Sequence, residues 1–164
     1  MTTTALGGTL TQVDTIAQYP LGHKVLRAAT ATGSRANRGE QLWIYVQNNT
    51  AVDWAACNVL MRDLTEVTYR CELSDQAVIT NPDTVVGVAQ HAVPAASFAF
   101  VLREGVGNVL ADTGGLTASS GLVIGDAVDG TADNAASATA PVFGYVITAA
   151  LATALAVCKL SCKG

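Results

Sequence analysis

The sequence predicts an all-β protein: a single β-barrel or β-sandwich-like domain at residues 41–164, preceded by an extended N-terminal arm and loop at residues 1–40. Residues 41–47 alternate side chains with the period of a strand. Glycine, Asp and Asn cut the second half of the chain into short apolar pieces. Pro94 lies inside one of two long apolar runs, where a helix would lose a hydrogen bond. Jelly-roll, tulip-like and Ig-like arrangements all stay open.

The two apolar runs, residues 85–103 and 142–160, resemble each other at an offset of 57 residues. Gly87 aligns with Gly144, and Ala99 aligns with Ala156. Taken alone, the second run has helical spacing and is rich in Ala, which favours a helix. Because the first run contains Pro94, a shared conformation has to be a hairpin. We therefore expect residues 142–160 to form two strands and a turn.

The remaining elements follow from local composition. Residues 1–22 are polar and Thr-rich, and residues 28–40 read as a loop, which together predict the arm. An Asn-rich turn after residue 47 predicts that Val52–Met61 returns as the partner of the first strand. Further strands are predicted at 66–73, 106–109, 122–124 and near Val128.

Charge is sparse and unevenly distributed. Only 13% of residues are charged, against about 25% in an average soluble domain, and such a surface is often covered by a partner. Residues 1–40 carry a net charge of +2, whereas residues 71–157 carry −7. This distribution argues against nucleic-acid binding by the body and fits docking of the basic segment onto an acidic protein surface. A solvated basic loop is the alternative. The candidate binding residues are Lys24, Arg27, Arg35 and Arg38.

Neither a membrane nor a metal is expected as a partner. The N-terminus has no basic region followed by an apolar one, as a secretion signal would. The stretch Pro141–Cys158 is short for a membrane span and is built mostly of Ala. The cysteines form no CxxC pair, which disfavours zinc, and buried reduced thiols are expected although disulfide pairing stays open. The four are Cys57, Cys71, Cys158 and Cys162.

Two groups of acidic residues suggest chemistry only weakly. Asp112-Thr113-Gly114 has the form of an aspartic-protease motif, but only eight residues separate Gly114 from the later Val123, too few for the intervening strands. We expect an ordinary turn there, and neither an enzyme nor a cofactor site. Asp126, Asp129 and Asp133 could hold a hard cation such as calcium, although their spacing does not match an EF-hand loop. Solvated turn residues are the expected interpretation.

Four large aromatic side chains are candidate anchors of the core or of an oligomer contact. Trp43 and Trp54 flank the predicted first hairpin, and Phe98 and Phe100 lie on the return strand of the first apolar run. Such residues dominate the energetics of cores and interfaces.

The order of these elements, over roughly residues 40–160, is similar to that of a known protein family. A Gly-Val-Ala strand, an aromatic return strand, Gly-Leu strands and a C-terminal Gly hairpin occur at Gly87-Val88-Ala89, 98–103, Gly121-Leu122 and 144–160. In this order the chain resembles the capsid decoration (cement) proteins of tailed bacteriophages.

The resemblance implies a non-enzymatic homotrimer on the outer surface of a phage head. There it would clamp neighbouring subunits of the major capsid protein, with no nucleic acid or membrane as partner. The alternatives are another virion structural protein, such as a tail or fibre-base component that binds host surfaces, and, less favoured, an aspartic-protease-like domain using Asp112.

Overall fold

Eleven β-strands make up the regular structure in the computed structural model, which describes residues 10–28, 39–63, 65, 68–77, 82–137 and 141–164. Apart from a 3-10 turn at Pro82–Thr84, no helix occurs in these ranges, so the all-β prediction is confirmed. The strands are β1 Val13–Asp14, β2 Lys24–Arg27, β3 Gln41–Asn48, β4 Val59–Arg62, β5 Arg70–Leu73, β6 Val85–Val88, β7 Phe98–Leu110, β8 Gly121–Ile124, β9 Ala132–Asn134, β10 Gly144–Thr148 and β11 Leu155–Ser161.

Five of these strands close a first barrel. In the order β3-β5-β4-β6-β7, each strand hydrogen-bonds to the next, and β7 pairs back with β3. The β3–β5 pair is parallel and the other pairs are antiparallel. Alternate residues of each strand point inward, and the interior includes the fully buried Ile44, Trp54, Leu60 and Val101.

A second barrel continues directly from the first, because β7 belongs to both. Residues 98–104 of β7 pair with β3, and residues 104–110 pair with β11. The order then runs β11-β10-β8-β9, and a parallel bridge from Ala111 to Ala132 brings β9 back to the end of β7. The predicted single domain therefore consists of two barrels joined through one 13-residue strand.

The two barrels repeat the same backbone. The isolated bridge Trp54–Val93 recurs as Leu116–Ala150, 62 and 57 residues further along the chain. Positive φ angles, which are uncommon outside glycine, recur at the same offsets: Cys57 (73°) and Ser119 (69°), then Ala96 (58°) and Thr153 (55°). The sequence similarity at an offset of 57 residues therefore marks a structural repeat.

Both hairpin predictions are confirmed. The first apolar run forms β6 and the beginning of β7, which pair antiparallel at Val88 and Leu102. The second run forms β10 and β11, which also pair antiparallel, with Tyr145 opposite Lys159. The inference from Pro94 thus identifies the conformation of residues 142–160, although their helical spacing suggested otherwise.

Several local predictions were wrong. The expected return strand Val52–Met61 shortens to β4, which pairs with β5 and β6 and not with β3. The reason is barrel closure, since β3 takes its partners from β2, β5 and β7. The strand predicted at 106–109 is confirmed, although it is part of the longer β7, whereas the strand expected near Val128 lies at β9 instead.

Residues 10–28, the described part of the predicted arm, lie on the first barrel. Strand β1 pairs with β7, with Val13 opposite Ala99, and β2 pairs with β3 along its whole length. Tyr19 packs on Tyr45 and Phe100, with ring centroids 5.2 and 5.3 Å away. These residues cover the outer face of β3 and β7. The rest of the arm, residues 1–9 and 29–38, falls outside the described residues, and an arm that reaches a partner stays a prediction.

A buried hydrogen bond fastens this segment to the barrel. The Tyr45 hydroxyl donates to Asp14 Oδ2 at 2.7 Å, and Gln12 Nε2 donates to Asp14 Oδ1 at 2.8 Å. Burial, followed by the bond to Asp14, raises the pKa of Tyr45 to about 12. The folded protein therefore holds this phenol proton more tightly than the unfolded chain does.

A pH-dependent stability difference between the wild type and Tyr45→Phe is expected from this bond. At neutral pH the variant should be less stable by about 1.5–3 kcal/mol, as for hydrogen bonds to charged groups. Because the folded pKa is raised, the contribution is complete below pH 10, the ordinary tyrosine value, and is lost as the pH rises towards 12. Urea unfolding of both proteins from pH 7 to 12 measures the difference. A difference that stays constant over this range would contradict the assignment.

Candidate functional site

Two of the four residues predicted to bind a partner, Lys24 and Arg27, lie on β2, which is an edge strand of the sheet. Lys24 is exposed and Arg27 is partly exposed, at opposite ends of this strand. Between them, the Leu26 side chain is 52% exposed. The charged side chains of a short edge strand hinder strand pairing, so a partner would approach β2 through these side chains and not through its backbone. Arg35 and Arg38 fall outside the described residues.

The four predicted aromatic anchors all contribute to the protein's own packing. Trp54 is fully buried inside the first barrel. Trp43 and Phe100 are each 4% exposed and belong to a second cluster of buried apolar residues, which also includes Val109 and Leu122. Phe98 is half-buried and stacks on Tyr45, with the ring centroids 6.2 Å apart. These positions support the core role, and a role in oligomer contacts stays a prediction.

An exposed apolar surface lies on the β10–β11 hairpin, at residues that the sequence does not single out as exposed. Tyr145, Ile147, Leu151 and Leu155 are 56%, 51%, 84% and 54% exposed, and we call these four residues the hairpin face. Exposed and buried residues alternate along β10 and β11, but apolar residues occur at both kinds of position, so the sequence does not tell them apart. From the sequence, the apolar faces of the two runs are expected both to fill a core and to help hold protomers together.

The structure gathers Asp112, Asp126 and Asp133, with one carboxylate oxygen of each within 4.8 Å of the others. Asp129 lies elsewhere and lines a shallow cleft of about 270 Å³ together with Glu72 and Asp75. Both oxygens of the buried Asp112 already accept backbone hydrogen bonds, from Thr113 N at 2.6 Å and from Ala127 N at 2.9 Å. This arrangement braces the loops at the end of the second barrel and supports the turn interpretation of the Asp-Thr-Gly motif.

The cysteines sit in apolar surroundings. Cys71, Cys158 and Cys162 are buried thiols, and Cys57 is buried as well. Burial raises the pKa of Cys158 and of Cys162 to about 12 and raises that of Cys71 further. Because the thiolate is the reactive form, these thiols are inert at neutral pH.

Comparison with known proteins shows a likeness in structure and none in sequence. No family model matches the chain, and no curated protein matches its sequence. The fold is similar to the N base of the bacteriophage phi29 head fiber protein gp8.5. The TM-score is 0.52 with 20% identity, and the match covers 73% of this chain and 94% of that one. At this identity the likeness concerns the fold alone. The described residues contain no helix of the length and hydropathy that a membrane span requires.

Proposed function

We propose that this chain is a non-enzymatic structural protein of a bacteriophage virion, bound to the outer surface of the head as a decoration protein. The observation that carries the proposal is the likeness to the head-fiber base, which spans 94% of that protein. In this role the protein holds neighbouring subunits of the major capsid protein together. A homotrimer is part of the proposal, because linked copies turn modest contacts into strong binding.

The surface of the protein supports this role. With 13% charged residues, the chain exposes few charges, and two of the five residues of β10, Tyr145 and Ile147, face outward with apolar side chains. Lys24 and Arg27 are available on β2 to meet acidic groups of a shell. In the acidic loops, both carboxylate oxygens of Asp112 are engaged with backbone amides.

A base that attaches a fibre to the head is the second candidate function. The name of the similar structure favours it, since that protein is the N base of a head fiber. Both candidates bind the head, and they differ in whether the chain also carries a further structure outward.

Charge reversal on β2 is expected to weaken shell binding. In co-sedimentation with empty phage shells, Lys24→Glu/Arg27→Glu should bind at least about tenfold more weakly, since opposite charges in a contact are replaced by like charges. The binding of the wild type should also fall with rising salt concentration. Lys24→Arg/Arg27→Lys is the matched control, which keeps both charges and should bind as the wild type does.

Two results would count against the proposal. If the wild type fails to sediment with shells at any salt concentration, the head-bound role is refuted. If the reversed variant binds as well as its control, β2 is not the contact. Deleting residues 1–40 would be a poor test, because residues 10–28 cover the first barrel and their loss would expose its aromatic face.

A further inference from the structure

The hairpin face lies on the outside of the second barrel. Tyr145 and Ile147 are exposed on either side of the buried Val146, and Leu155 precedes the buried Ala156. Since successive side chains of a strand point to opposite faces, the exposed residues of both strands share the outer side. Leu151 extends this surface to the tip of the hairpin, where it is 84% exposed.

The repeat allows the exposure of the hairpin face to be compared with that of the equivalent residues in the first barrel. At the offset of 57 residues, Leu155 corresponds to Phe98 and Tyr145 corresponds to Val88. In the first barrel Val88 is fully buried, and Phe98 is half-buried. The nearby Phe100 packs against Tyr19 of the N-terminal segment, with ring centroids 5.3 Å apart. In the first barrel the apolar positions of this face are therefore covered, and its partly exposed and exposed positions are Gln90 and Pro94, the counterparts of Ile147 and Leu151.

Among the described residues, no segment lies over the hairpin face of the second barrel. The first strand of this barrel is the second half of β7, which continues without interruption from the first barrel. The exposed residues at this face are nevertheless large and apolar. A face adapted to solvent would carry polar side chains at these positions.

The hairpin face groups four large apolar side chains that are each more than half exposed. The largest apolar patch of a monomeric protein is often functional. Among the described residues, these four make up half of the exposed large apolar side chains, and the others lie apart on other elements. Those others are Ile16, Leu26, Val52 and Val128. The described residues form no second apolar surface of this extent. The apolar surface that can pack against the hairpin face is therefore the hairpin face of another copy.

We propose that copies of this chain associate through the hairpin face. This contact holds together the homotrimer of the proposed function, and the proposal rests on that part of it. The charges beside the face are compatible with self-association. Lys159 lies opposite Tyr145 on β11, and Glu104 lies opposite Ser161 on β7. Both are exposed, so Lys159 of one copy can meet Glu104 of the next.

Sedimentation velocity without shells tests the contact. At about 1 to 100 µM, a range that includes the affinities of weak interfaces, the wild type is expected to have a mass three times the 16.8 kDa of the chain. The variant Ile147→Lys/Leu155→Glu should be monomeric and should keep the circular-dichroism spectrum of the wild type, because both side chains face solvent in the single chain. Its melting temperature should no longer depend on protein concentration. Leu26→Lys/Val52→Glu, with comparable exposure elsewhere, is the matched control and should keep the wild-type mass.

A wild type that is monomeric throughout this range overturns the proposal, and so does a folded hairpin-face variant that keeps the wild-type mass. Shell binding is measured separately. A wild type that associates in solution but does not sediment with shells refutes the head-bound function and leaves the contact intact. A wild type that stays monomeric but binds shells through the hairpin face refutes self-association and assigns the face to the shell protein.

Discussion

Trp54→Ala is expected to lower the free energy of unfolding by about 3–5 kcal/mol, the range for removing a large aromatic side chain from a core. The side chain is fully buried in the first barrel, and its backbone is bridged to Val93 in both directions at 2.9 Å. Strands packed around a barrel interior cannot collapse far into the space that the indole leaves. Chemical denaturation followed by circular dichroism measures the loss.

Two companion variants separate packing from other effects. Trp54→Phe should cost only about 1–2 kcal/mol, because it removes less apolar volume and because the indole Nε1 has no hydrogen-bond partner to lose. Leu116→Ala changes the equivalent position of the second barrel and should cost about 2–5 kcal/mol. Since β7 belongs to both barrels, each variant should unfold in a single transition. A separate, unshifted transition for the other barrel would show that the two fold independently.

The hairpins could be predicted from the sequence, whereas the shared strand could not. Pro94 excludes a helix in the first run, and the similarity at an offset of 57 residues extends this conclusion to the second run. The joining of residues 98–103 and 106–109 into one strand depends on Gly105, which composition alone suggests to be a turn. The partner of β3 was mispredicted for a related reason, because closure of a barrel is decided by strands far apart in the chain.

The candidate surfaces were predictable to different degrees. Charge identified Lys24 and Arg27, and the structure places both on an edge strand. Apolar residues such as Ile147 and Leu155 give the same pattern whether the outer side of a strand is covered or exposed. Only the position of the N-terminal segment, over the first barrel and not the second, distinguishes Phe100 from the hairpin face.

Gly105→Ala is expected to destabilise the protein strongly although it adds a single methyl group. Gly105 has a φ of +114°, a conformation that side-chain-bearing residues rarely adopt, and a Cβ there would lie 2.7 Å from the Glu40 carbonyl oxygen. The residue marks the point where β7 passes from β3 to β11. Backbone strain and the displacement of neighbouring backbone should together cost about 3–5 kcal/mol, measured by urea unfolding.

Gly39→Ala is the matched control for this prediction. Gly39 also has a positive φ, +63°, but a Cβ there would meet no atom within 4 Å. Its replacement should therefore cost only about 1–2 kcal/mol, the penalty of the left-handed conformation alone. The difference between the two variants isolates the close approach of residue 40 to β7. If both variants lose the same stability, the junction tolerates a side chain, and the two barrels are held together by the pairing of β7 with β3 and β11 and not by the close packing at Gly105.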